Sequence, residues 1–130
     1  MMRGLEYPPL WYVSAMKKAL NKKGTWDVVL EMLCAFYKIR VVKAYFRESS
    51  VPEGADACYV PFDEVIYTRK KRCSEGLVFH EFGHHLEKCK FGDRFNYGLA
   101  KSDEDKVKKC CSESIAESFS EGLCKLWEKC

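Results

Sequence analysis

The chain is expected to fold as one α+β domain, with a small antiparallel or mixed three-stranded sheet packed on helices. Three observations predict this. Apolar residues recur at three-to-four spacing through segments 26–38, 74–90 and 103–129, the period of a half-buried helix. Short runs rich in β-branched and aromatic residues, separated by Pro52, Gly54, Pro61 and Asp63, read as strands. A length of 130 residues supplies a single core and leaves no room for a second lobe.

In chain order, residues 12–20 form a short helix closed by Asn21-Lys22-Lys23-Gly24. Thr25 is placed to cap a second helix over 26–38, whose apolar face is Val28, Val29, Met32, Leu33 and Phe36. Residues 39–47 read as a strand and 49–57 as a loop. Two further short strands cover 58–60 and 64–69. A helix follows over 74–90, with Ser74 as N-cap and Leu77, Val78, Phe82 and Leu86 as its apolar face. Residues 91–102, with Gly92 and Gly98, form a connector. The final helix runs over 103–129 and buries Ile115, Phe119, Leu123, Leu126 and Trp127. No repeat or interdomain linker interrupts this order.

Composition narrows the class. Hydrophobic residues at 47 % and charged residues at 32 % are ordinary for a soluble globular chain. A net charge of +3 is too mild to argue for nucleic acid. The densest basic run, Arg69-Lys70-Lys71-Arg72, reads as a solvated turn. No run approaches the roughly 20 apolar residues of a membrane span. Pro8 and Pro9 interrupt the N-terminal stretch, so no signal peptide is expected and the location is expected to be cytoplasmic. The eight cysteines include no C-x-x-C pair, against a zinc ribbon, while their even number points to disulfides. With no Gln and only Asn21 and Asn96, the chain is poor in thermolabile amides. That fits a hyperthermophile, where intracellular disulfides are common.

The chemistry is concentrated in His80-Glu81-Phe82-Gly83-His84. Two imidazoles four residues apart lie one turn apart on one helix face and can reach a single ion; zinc takes His nitrogen at about 2.0–2.1 Å. The Glu81 carboxylate then projects toward the ion's open position, where it can accept a proton from bound water. The chain holds three His, namely His80, His84 and His85. The metzincin pattern fails, because Glu87 and Lys90 stand where its Gly and His belong. A third protein ligand is therefore a carboxylate or a thiolate. His85 sits about 100° round the helix from His84 and is expected to lie at the surface or to pack in a second layer.

Downstream, Glu113 and Glu117 are i and i+4 and share a helix face beside Ala116 and Ser120, whose small side chains allow close approach of two helices. Either acid can supply the third ligand. The stretch Glu113-Ser114-Ile115-Ala116-Glu117-Ser118-Phe119 resembles the gluzincin metallopeptidases, in which a second helix brings a Glu to the zinc. The order of elements is similar to the small soluble minigluzincins. The resemblance implies a zinc-dependent endopeptidase acting on peptides or proteins, with one Zn2+ held by His80, His84 and Glu113. Glu81 is then the general base, Ala116 the small contact, and Glu117 the acid that holds a ligand His by its other nitrogen. It also implies that strand 64–69 borders the cleft as a sheet edge to which substrate adds. Tyr67, Tyr97 or an Arg is left to stabilise the oxyanion. Residues 123–130 are a candidate for covering the cleft in a latent zymogen, with Cys130 offering thiolate to the metal. An alternative resemblance, to the ImmA/IrrE-type proteins, implies a regulatory or non-catalytic zinc protein. Neither nucleic acid nor membrane insertion is expected, and the oligomeric state is left open.

Overall fold

A computed structural model describes residues 6–91 and 103–130, and among these the side chains outside 91 and 103–111. Helix α1 (Leu10–Lys23) starts directly after Pro8-Pro9 and stops at Gly24, whose φ of 75° is the left-handed conformation glycine adopts without strain. Helix α2 (Trp26–Tyr37) begins after Thr25, which is extended at the cap position, although its hydroxyl makes no cap hydrogen bond. Strand β1 (Lys43–Phe46) and a 3-10 turn (Glu48–Ser50) lead to β2 (Ala57–Val60) and β3 (Val65–Thr68). Helix α3 (Glu75–Phe91) carries the two-His motif, and α4 (Asp103–Glu128) carries Glu113 and Glu117. The fold is α+β, as expected.

The sheet is mixed, in the order β1-β3-β2: Ala44 pairs with Ile66 in parallel, and Tyr59 pairs with Ile66 in antiparallel. This corrects the expected edge. The strand preceding α3 is central, with both flanks occupied, so no peptide can add to β3. Between its two neighbours, β2 is the one that lies against α3. The strand expected over 39–47 is also shorter. Residues 39–42 run along α3 instead, burying Val42 and offering the Arg40 carbonyl to His85.

One core joins all elements. Val13 and Met16 of α1, Leu30 and Leu33 of α2, Ile66 of β3, Phe79, Phe82 and Leu86 of α3, and Phe119, Leu123 and Trp127 of α4 are all in it. The buried stripe of α2 is Val29, Leu30, Leu33, Cys34 and Tyr37, turned from the expected face. Val28, Met32 and Phe36 are only partly buried; Tyr12 of α1 lies against Phe36 and donates a hydrogen bond to the Met32 carbonyl. Burial of this order, at about 25 cal/mol per Å2 of apolar surface, is the dominant favourable term in folding.

Helices α3 and α4 meet at unusually small residues. A Cβ placed on Gly83 would lie 3.1 Å from the Ala116 Cα, and Ser120 Oγ donates to the Gly76 carbonyl at 2.8 Å. The close approach expected from Ala116 and Ser120 is present, and glycines on α3 complete it. Among the described residues no helix is long and apolar enough to cross a membrane. Cys34, Cys58, Cys73, Cys89, Cys124 and Cys130 are free thiols, so the expected disulfides have no bridge among them.

Candidate metal centre

The close α3–α4 contact brings four side chains to one point. His80 Nε2 stands 3.0 Å from Glu113 Oε2, and His84 Nε2 stands 3.1 Å from Glu113 Oε1. Both imidazoles of the motif thus direct the same nitrogen at one carboxylate from the facing helix. For tetrahedral coordination with bonds of about 2.0–2.1 Å, ligand atoms are separated by about 3.3 Å. The two nitrogen–oxygen separations here are within a few tenths of that spacing. Ligand atoms of His80, Glu81 and His84 also lie within 4.8 Å of one another. This His/Glu group could hold a metal ion.

The other ring nitrogens are held as well. His80 Nδ1 donates to Glu117 Oε2 at 2.8 Å, the role expected for that acid. His84 Nδ1 is 3.2 Å from Ser112 Oγ, whose hydroxyl donates to Glu87 Oε1 at 2.6 Å. With the hydroxyl proton directed at Glu87, Ser112 accepts from His84 Nδ1–H, so that with an ion at the shared point Nε2 would be the nitrogen left to bind it. Each imidazole is therefore held in orientation by an acid, one directly and one through a hydroxyl. Ser112 and Glu87 escaped the sequence reading. Their signal was positional: Ser112 precedes Glu113, and Glu87 follows His84 by three, on the same face of α3.

Electrostatics agree with a cation site. The hydrogen bond that His80 donates to Glu113 raises His80 to a pKa of about 9, opposed by burial and aided by Glu81 and Glu117. Hydrogen bonds from His80 and His84 hold the Glu113 carboxyl far below the usual carboxylate range. Burial pushes the Glu81 carboxyl up, partly offset by His84 and His80, and its Oε2 is buried without a hydrogen-bond partner. A buried carboxylate oxygen left orphaned beside the shared point is where a polar ligand of the ion would be received.

His85 belongs elsewhere. It is fully buried, and because the Arg40 carbonyl can only accept, Nε2–H donates to it at 2.7 Å while Nδ1 accepts from Tyr59 Oη at 2.7 Å. Of the two placements expected for it, surface or second layer, it takes the buried one. Glu64, His85 and Cys89 also bring ligand atoms together. There the Arg40 guanidinium lies 2.9 Å from both Glu64 oxygens and Lys88 Nζ lies 3.9 Å away, so fixed cations already neutralise the acid.

The expected tail contact is not present. Leu123 and Trp127 are core residues, and Cys130 Sγ turns back to the carbonyls of Leu10 and Leu126. At 1.5 Å per residue, the end of α4 lies about 22 Å along the helix from Glu113. Of the groups suggested for an oxyanion, Tyr97 lies outside the described residues, and the Tyr67 ring lies beside Tyr45. Arg40 and Arg69 are engaged with Glu64 and with the carbonyls of Val51, Pro52 and Ala55. No family model, curated protein or solved structure matches the chain.

Proposed function

We propose that the protein is a zinc-dependent endopeptidase, with His80, His84 and Glu113 as ligands and Glu81 as general base. The observation that carries this is the Glu113 carboxylate facing both Nε2 atoms at coordination spacing. Zinc, when bound, supplies Lewis acidity to a scissile carbonyl and lowers the pKa of water toward about 7. Glu81, with its carboxyl raised by burial, accepts a proton from the attacking water and passes it to the leaving amine nitrogen. Glu117 and the Ser112–Glu87 pair keep the two imidazoles oriented, so the ligands need no rearrangement.

Substrate is proposed to lie extended along β2, which pairs with β3 on one side only and packs beside α3. Cys58 of that strand lies near enough for the Glu81 carboxylate to contribute to raising its thiol pKa, after burial. The free thiols fit a reducing compartment, in keeping with a cytoplasmic protein.

The test compares Glu81→Gln with wild type, both zinc-loaded, on an unfolded protein substrate. A peptidase retains one zinc per chain in both and loses cleavage in the variant by about 100-fold or more. Equal behaviour of the two proteins would reduce the site to a regulatory or structural metal centre.

A further inference from the structure

We propose that Lys70 and Arg72 form a cationic subsite of the cleft that takes an aspartate or glutamate side chain of the substrate. This rests on the endopeptidase reading and adds a substrate class to it. A pocket of about 260 Å3 opens between the start of β2 and the start of α3, lined by Asp56, Lys70, Arg72, Cys73, Ser74 and Leu77. Leu77 precedes His80 by three residues and Glu81 by four, so it shares their stripe of α3. One residue of the pocket wall therefore stands one helical turn before Glu81, with a Cβ spacing of about 5–6 Å.

The packing of β2 on α3 is tied at its other end. Lys88, one turn beyond His84 on the same stripe, is partly buried and donates to the Pro61 carbonyl at the end of β2. An extended chain on the β2 edge consequently has its open side-chain space toward Lys70 and Arg72.

Charge selects what fits there. Arg40 and Arg69 are neutralised by Glu64 and Glu48, whereas Lys70 and Arg72 are exposed and form no ion pair among the described residues. One carboxylate, Asp56, lines the same pocket, which leaves the lining with an excess positive charge. Glu75, the acid of the first turn of α3, lines a second pocket with Lys71 and Arg72, so the three cations of the run outnumber the two acids, Asp56 and Glu75, that line these pockets. The N-terminus of a 17-residue helix adds partial positive charge at the pocket wall. The basic run that reads from sequence as a solvated turn thus borders the cleft.

The test uses zinc-loaded protein and quenched peptides identical except for Glu or Gln, scanned through each position flanking the scissile bond. Two exposed cations imply a kcat/KM about five- to tenfold higher for Glu at one position at low salt, decreasing as salt rises. The Glu-to-Gln ratio should approach one in K70A/R72A and invert toward Lys in K70E/R72E. A ratio near one throughout in wild type, or a Lys preference reflecting Asp56, overturns the proposal. Fluorescence anisotropy of the same peptides on Glu81→Gln separates it from the peptidase reading. Charge-dependent binding that vanishes when K70A/R72A is added to Glu81→Gln, without cleavage by wild type, would leave the subsite and remove the hydrolase. Cleavage without charge dependence would do the reverse, and absence of both would remove both.

Discussion

His84 Nδ1 and Glu87 Oε1 share a single hydroxyl, that of Ser112, at 3.2 and 2.6 Å. The hydroxyl comes from α4 and the other two groups from α3, so the orientation of one ligand depends on the packing of two helices. Outer groups of this kind contribute to metal affinity as well as to geometry. Ser112→Ala is expected to weaken zinc binding about 10–100-fold while the chain stays folded. Competition with a chromophoric chelator measures this; unchanged affinity would mean that Ser112 only fills space.

The two acids of α4 have separate roles, and their variants should separate too. Glu113→Ala removes the group facing both imidazoles and should abolish stoichiometric zinc. Glu117→Ala leaves that group and removes only the partner of His80 Nδ1, with an expected loss of about 10–100-fold in affinity. Metal content after dialysis at limiting free zinc distinguishes them, and equal retention by both would move the third ligand elsewhere.

The pH dependence has a defined sign. His80 rises from its ordinary 6.5 to about 9 in the metal-free chain, so its contribution to stability is complete below 6.5 and is lost as pH rises through 9. Glu113 is depressed from 4.5, so its contribution is present above 4.5 and is lost as pH falls toward its folded value. From these two groups, chelator-treated protein should melt highest between pH 4.5 and 6.5. Zinc must displace the His80 proton, so apparent affinity should rise about tenfold per pH unit from 6.5 toward 9. Calorimetric titration across that range checks the slope.

Gly83 faces the Ala116 backbone so closely that a Cβ there would stand 3.1 Å from the Ala116 Cα. Ala116→Leu is expected to destabilise by about 1–3 kcal/mol through overpacking and to weaken zinc by separating the two ligand helices. Both effects should appear together in melting and metal titration. A variant that loses stability but keeps its affinity would show that the ligands are held independently of this contact.

On the far side of α3, Tyr59→Phe removes the donor to the buried His85 Nδ1. The expected cost is about 1–3 kcal/mol, since an acceptor is left unmade in the core. Zinc affinity should be unaffected, because His85 is no ligand. Denaturant unfolding with parallel metal titration tests both halves.

Much of this molecule follows from local pattern. The His80–His84 spacing places two imidazoles on one face of any helix that forms there, and the stripe Phe119, Leu123 and Trp127 buries one side of α4 wherever a core exists. Small Ala116 and Ser120 already mark a close helix contact, and the pairing of Glu117 with His80 follows once the two helices meet. Three things depended on the tertiary arrangement. Strand order is one, because an extended run does not encode which neighbours it takes, and β3 is central rather than an edge. The Ser112–Glu87 relay is another, since a buried acid and a hydroxyl 25 positions apart are invisible as a pair until α3 and α4 pack. The third is the choice between Glu113 and Glu117: both lie on one face, and only the rotation and depth of α4 against Gly83 bring the first to both Nε2 atoms and the second to Nδ1. Periodicity is a property of the chain, whereas register between two elements is set by the volumes that must fit between them.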